Sequence, residues 1–232
     1  MSRVVVERLT RRPGAELRHA GLSVVGGRRR QEDRWLARPD LGLYAISDGM
    51  GGHERGDEAA QAAVGALAGA LASAAESSGS AMRVALRRAH RAVRRLAGGF
   101  GREPGATLTA LWFGGDRVVL GHVGDTRAYR CAPGAAAPEL LSADHRTWYG
   151  GLYKALGAGV GDPLDPQVAE LEVAPGQVYL LASDGLWGEV DPELLAAVTT
   201  ADATLEERVR GLVAAAAGSR DNVTALLVEV SS

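Results

Sequence analysis

Cysteine is nearly missing from this chain: Cys131 is the single one in 232 residues, so no disulfide can close within it and no thiolate zinc set can form. A reducing compartment is expected. Charge of one sign is lacking too, since 26 Lys and Arg stand against 28 Asp and Glu for a formal net charge of -2. Such balance provides no field that would gather nucleic acid or an anionic membrane. Long apolar runs are absent as well. Met1 to Arg18 mixes Arg and Glu with no stretch long enough for a signal peptide, and no segment approaches a membrane span. These absences lead to the expectation of a cytoplasmic, monomeric protein with no nucleic-acid or membrane partner. No linker composition interrupts the chain, so one domain over 1–232 is expected, with a core large enough to be stable.

What is present is a succession of short apolar runs separated by Gly, Pro and Asp turns. Strands are predicted at Ala20 to Val25, Arg34 to Ala37, Leu43 to Ser47, Thr107 to Phe113, Arg117 to Val123, Arg127 to Cys131, Val168 to Val173, Val178 to Ala182 and Val223 to Val230. Their shortness and turn chemistry favour antiparallel meanders. Helical spacing marks Gly56 to Ala75, Ser80 to Leu96, Pro192 to Thr199 and Leu205 to Ala217, with start signals at Asp191-Pro192 and Thr204-Leu205. The arginines from Arg83 to Arg95 fall at helical spacing and read as a solvated face. Two helices in each half, separated by blocks of strands, suggest sheets covered by helix pairs.

Acidic residues are placed at the ends of these apolar runs. Leu43 to Ser47 delivers Asp48 into the cluster Gly49-Met50-Gly51-Gly52-His53, and Val178 to Ala182 delivers Ser183-Asp184-Gly185. Asp221 directly precedes the last apolar run, and Glu32-Asp33 follow a basic cluster, Arg28-Arg29-Arg30. A carboxylate is a hard oxygen ligand of the kind Mg²⁺ and Mn²⁺ prefer, and glycines let backbone carbonyls and waters approach the same ion. Each loop alone could equally be a solvated turn. Together they point to a metal site.

The whole set resembles the metal-dependent Ser/Thr protein phosphatases of the type 2C (PPM) family, in the family's own motif order from about His19 to Val230. The matching pieces are Arg28 to Asp33, Asp48 to His53, Gly105 to Leu108, Gly124 to Tyr129, Asp144-His145, Ala155 to Gly157, Ser183 to Trp187 and Arg220 to Thr224. The resemblance implies an α+β fold, a four-layer αββα sandwich of two mainly antiparallel sheets flanked by helix pairs. It implies hydrolysis of phosphoserine and phosphothreonine in proteins by a water activated by two Mn²⁺ or Mg²⁺ ions, opposing a Ser/Thr kinase, in a bacterial setting. By the same resemblance Asp48 bridges both ions, Asp184 and Asp221 complete one, and Glu32 with the Gly49 carbonyl serves the other through waters. Asp33 orients water, Asn222 steadies the Asp221 carboxylate, and Arg28 clamps phosphate. Asp125 either joins Asp184 at a weaker third ion or caps a turn.

Two departures from the pattern stand out. Met50 occupies the place where some members carry a histidine proposed as general acid, so that role is unassigned; His53, His145 and His122 read as structural. Between Asp144-His145 and Ala155-Leu156-Gly157, where bacterial members carry a longer flap, only Arg146 to Lys154 remain. Trp148, Tyr149 and Tyr153 in that short segment either form a contact surface or fold back on the sandwich edge. A catalytically inactive regulatory module and a hydrolase of small phosphoesters are the competing functions. Retention of Glu32, Asp48, Asp184 and Asp221 argues against the first.

Overall fold

The computed structural model describes residues 5–8, 16–50, 55–96, 104–158 and 164–231. Its strands are β1 (Val5–Arg8), β2 (Glu16–Val24), β3 (Arg34–Arg38), β4 (Leu43–Ser47), β5 (Gly49–Met50), β6 (Gly105–Ala106), β7 (Leu108–Gly114), β8 (Arg117–Val123), β9 (Arg127–Cys131), β10 (Glu139–Leu140), β11 (Gln167–Glu172), β12 (Val178–Ala182) and β13 (Val223–Ser231). The helices are α1 (Gly56–Leu71), α2 (Gly79–Arg94), α3 (Asp184–Trp187), α4 (Pro192–Thr199) and α5 (Leu205–Ala215).

One sheet has the order β1-β2-β13-β12-β9-β10 and the other β11-β8-β7-β4-β3, with every pairing antiparallel. Period-2 alternation explains why the central strands read as unbroken apolar runs: both of their faces are covered. On β12, Tyr179 and Leu181 meet Tyr44, Leu111 and Phe113 of the opposite sheet, while Val178, Leu180 and Ala182 face helices. Leu43 and Ala45 of β4 pack under α1 and α2, and Ala225 and Leu227 of β13 pack under α4 and α5. The product is an αββα sandwich with one apolar layer between the sheets and one beneath each helix pair.

Helix termini follow the local chemistry. The Asp191 side chain accepts from the Leu194 amide, and Thr204 with Glu207 forms a reciprocal capping box that starts α5. Helix α1 stops at Leu71, short of the expected Ala75, because Leu71 is its last fully buried contact with the sheet. The two-residue strands β5, β6 and β10 and the single turn α3 were not expected, since so short a segment carries no periodicity.

Candidate metal and phosphate site

The carboxylates are brought together because the central strands of both sheets end on the same side. Strand β4 releases Asp48, β12 releases Asp184, and Asp221 precedes β13. Each is pinned through its backbone. Asp48 N donates to Thr107 Oγ1 at 2.9 Å and Thr107 N returns a bond to Asp48 O at 2.9 Å, which gives the Gly105 to Leu108 motif its role. Ser183 and Thr224 lock β12 to β13 through Thr224 N to Ser183 Oγ at 2.9 Å. At Gly49 an added Cβ would sit 1.9 Å from the Gly56 carbonyl oxygen, so only glycine lets the chain pass there.

Asn222 steadies the Asp221 carboxylate through its backbone and uses its side chain elsewhere. Its backbone N donates to Asp221 Oδ1 at 2.8 Å, while the carboxamide binds the 25–32 loop: Oδ1 accepts from Glu32 N at 2.8 Å, and Nδ2 donates to Val25 O at 2.8 Å and Arg30 O at 2.9 Å. A single side chain thus fastens the loop bearing Arg28 and Glu32 to the last strand. Gly26 makes that approach possible, with φ of +56° and its Cβ position 1.9 Å from the Asp221 carbonyl oxygen.

Arg28, Glu32, Asp48, Gly49, Asp125, Asp184 and Asp221 line one cavity of about 560 Å³. Asp33 does not reach its wall: 2% exposed, it lies behind, with Oδ2 accepting from Thr224 Oγ1 at 2.6 Å. Burial pushes the Asp33 carboxyl up to about 7, against the Thr224 hydrogen bond, and the neighbouring Asp184 and Asp221 add to the rise. Asp48 is raised well above the carboxylate range by burial and by Asp33, Asp184 and Asp221. Asp125 rises to about 6 through burial and Asp184, and Asp184 rises through burial and Asp221.

Mutual repulsion of this kind is relieved by a cation, and the donor set suits a hard one. Among the described residues, two buried carboxylate oxygens of the site, Asp33 Oδ1 and Asp184 Oδ1, find no hydrogen-bond partner by geometry. Among the described residues no three His, Cys, Asp or Glu side chains gather tightly enough to make a ligand set by themselves, so ions here would keep much of their coordination as water. Arginines supply part of the neutralising charge: Arg28 Nη2 lies 2.5 Å from Asp221 Oδ2, and Arg146 Nη1 lies 2.9 Å from Asp125 Oδ2 and 4.0 Å from Asp184 Oδ2. Sequence reading did not single out Arg146; its place directly after Asp144-His145 was the available signal.

Other motif residues support the walls. Arg127 holds Asp144 with Nε–Oδ1 at 3.0 Å and Nη2–Oδ2 at 2.7 Å and stacks 3.5 Å over the Trp187 ring, whose Nε1 donates to Asp125 O at 3.0 Å. Trp187 therefore sets the Asp125 backbone. His145 Nδ1 accepts from Gly124 N at 2.9 Å and stacks on buried His122, so both are structural as expected. Among the described residues no histidine lines the cavity. Gly51, Gly52 and His53 lie outside the described residues.

A model of the protein phosphatase 2C family matches residues 24–222, most of the chain. The chain belongs to the protein phosphatase 2C family. The Ser/Thr protein phosphatase PstP of Mycobacterium tuberculosis is 30% identical over 214 residues, 81% of this chain and 40% of that protein. Probable protein phosphatase 2C 59 of Arabidopsis thaliana is 31% identical over 56% of this chain and 51% of its own length. This phosphatase 2C chain spans about half the length, or less, of the curated relatives it matches. Among solved structures, the catalytic domain of PstP in complex with two manganese ions aligns with a TM-score of 0.82 at 28% identity, covering 93% of this chain and 99% of that one. PppA, a regulatory component of the type VI secretion system in Pseudomonas aeruginosa, aligns with a TM-score of 0.80 at 31% identity over 97% and 100%.

Proposed function

We propose that this phosphatase 2C chain hydrolyses phosphoserine and phosphothreonine in proteins with the help of two Mn²⁺ or Mg²⁺ ions. The observation that carries the reading is the convergence of Glu32, Asp48, Asp184 and Asp221, from loops of both sheets, on one cavity with Arg28 at its wall. The solved PstP domain with two manganese ions supports the choice of metal. Asp48, which has Asp33, Asp125, Asp184 and Asp221 as electrostatic neighbours, is assigned to both ions. Asp184 and Asp221 are assigned to one and Glu32 with the Gly49 carbonyl to the other, with Asp125 and Asp184 available to a weaker third. Bound there, the ions supply positive charge to the phosphoryl oxygens and lower the pKa of a water.

The chain's own groups do the remaining work. Arg28 exchanges its contact with Asp221 for two phosphoryl oxygens, which a guanidinium fork matches in geometry and charge. Asp33 Oδ2 accepts from Thr224, with the Ser183 hydroxyl also close to the carboxyl, and Oδ1 is the oxygen assigned to orienting a water or holding its proton. Asn222 keeps Glu32 and the Arg28 loop in register with Asp221.

The deciding experiment compares a phosphopeptide with p-nitrophenyl phosphate, with and without Mn²⁺ and EDTA. Turnover of the phosphopeptide that requires Mn²⁺ and is lost on chelation is the expected result. Asp184→Asn should abolish it while leaving the circular dichroism spectrum intact, because the change removes ligand charge from a strand end and not from the core. Activity of that variant within a few-fold of wild type would remove Asp184 from the metal site. Turnover of p-nitrophenyl phosphate alone would favour a hydrolase of small phosphoesters, and no turnover of either a regulatory module. The cognate phosphoprotein is expected to be the target of a Ser/Thr kinase.

A further inference from the structure

The short segment that replaces a longer flap is a built hairpin. Arg146 and Leu152 pair across it, Thr147 N donates to Gly151 O at 2.7 Å, Gly150 N to Thr147 O at 3.0 Å, and Thr147 Oγ1 to Gly151 O at 3.0 Å. Its tip carries Trp148 and Tyr149, 95% and 72% exposed, packed edge to face with ring centroids 5.3 Å apart. Its base is tied to the acidic cavity. Tyr153 N donates to His145 O at 3.0 Å and His145 N to Gly124 O at 2.7 Å, one residue before Asp125.

Arg146 joins the two directly. One arm of its guanidinium meets Asp125 at 2.9 Å and approaches Asp184 at 4.0 Å; the other donates to Gly150 O at 3.1 Å, inside the hairpin. A guanidinium and a divalent ion cannot both occupy the space between the same two carboxylates. Because the arginine is tethered, it competes at an effective concentration of about millimolar or more, so a weakly held ion would be displaced first.

Resting on the metal reading above, we infer that Arg146 is a tethered cation that holds the Asp125–Asp184 position against a third divalent ion. Filling of that position by an ion frees Arg146 from Asp125, loosens its grip on Gly150 and releases the aromatic hairpin. Ion concentration then sets how firmly Trp148 and Tyr149 are presented beside the cavity.

Two readouts other than turnover test this. Bound Mn²⁺ is counted by electron paramagnetic resonance in wild type, Arg146→Met, Arg146→Lys and the double variant Arg146→Met with Asp125→Asn. The hairpin is followed in Mg²⁺, whose third-ion range is fixed by its displacement of bound Mn²⁺, through the ¹⁹F resonance of 5-fluorotryptophan at Trp148, assigned with Trp148→Phe. The third ion should bind at least tenfold more tightly to Arg146→Met than to wild type, with Arg146→Lys between them, and the gain should vanish in the double variant. The Trp148 resonance of wild type should move only over the concentration range in which the third ion binds; in Arg146→Met it should start at the moved position. Equal third-ion affinity in wild type and Arg146→Met, or a gain that survives Asp125→Asn, overturns the inference while the two-ion reading stands. A Trp148 resonance indifferent to both ion and variant overturns the hairpin coupling. Should Arg146→Met fail to fold, Arg146→Lys carries the same comparison, and an affinity equal to wild type with an unmoved resonance overturns the competition. Absence of all ion binding overturns this inference together with the proposed function.

Discussion

Arg28 has one partner in the structure, Asp221, and a second, phosphate, in the proposed function. Its pairing with Asp221 places the guanidinium where ion and phosphate would both exert their pull, and the charge is further favoured by Asp48 and Glu32. Arg28→Ala is expected to raise KM for a phosphoprotein by about tenfold or more, the loss of a charge-assisted hydrogen bond worth roughly 1.5–3 kcal/mol, and to do so by a larger factor than it changes Mn²⁺ affinity. Steady-state kinetics beside a Mn²⁺ titration checks this; unchanged KM with altered ion affinity would give Arg28 another role. His122 bears on stability instead. Burial and the adjacent His145 lower it from 6.5 to about 4. Between those values the unfolded chain takes up a proton that the native chain refuses, so this contribution to stability falls as pH falls from about 6.5 to 4, by on the order of 3 kcal/mol. The measurement is the difference in pH dependence of Tm between wild type and His122→Asn, in which the opposite trend of the site's raised carboxylates cancels. A difference that does not vary with pH would mean that His122 titrates normally. At this scale Asp48, Asp125, Asp184 and Asp221 were legible because each stands beside Gly or Asn in a distinctive string, and Glu32 because it is paired with Asp33 directly after an arginine cluster. Arg146 was not, because an arginine in a polar loop looks the same whether it faces solvent or a carboxylate.

Among the elements, β4, β8, β9, β12 and α4 have the bounds read from sequence. Full burial made β4 and β12 nearly continuous apolar runs, turn residues bounded β8 and β9, and Asp191-Pro192 fixed the helix start. The other expected strands, β2, β3, β7, β11 and β13, shift by a residue or more at an end, where pairing across the sheet decides and apolar pattern does not, and β1 was not expected at all. Strand β2 begins at Glu16 because Ser231 of β13 pairs with it there. The hairpin from Arg146 to Leu152 was legible only as a shortened, aromatic segment; its shape depends on hydrogen bonds to glycine carbonyls that carry no sequence signal. Its exposed aromatics make a prediction at this scale. Trp148→Ala with Tyr149→Ala should leave p-nitrophenyl phosphate turnover nearly unchanged and slow a cognate phosphoprotein by about tenfold, equivalent to roughly 1.4 kcal/mol of lost contact. Equal slowing of both substrates would show that the pair supports the cavity and not the partner.

On the scale of the whole molecule, the pairing of β2 with β13, from Val24 with Val223 to Glu16 with Ser231, joins segments about as far apart in the chain as any it brings together. Asn222 completes that junction and in doing so fixes Glu32 and the Arg28 loop. The consequence is one of timing. Closing so long a loop is slow relative to forming α1 with α2 or the β7–β8 hairpin, since few rewards arrive before the ends meet. Until β13 docks between β2 and β12, the six-stranded sheet is in two pieces and Asp221 and Asn222 have not joined the loop of Arg28 and Glu32, so the carboxylate centre is incomplete. In refolding from denaturant, competence to bind Mn²⁺ should accordingly appear with the slowest phase of Trp fluorescence recovery; Asn222→Ala should retard that phase and leave earlier ones unaltered. Ion binding that recovers in an early phase would mean that the centre assembles before its last strand docks.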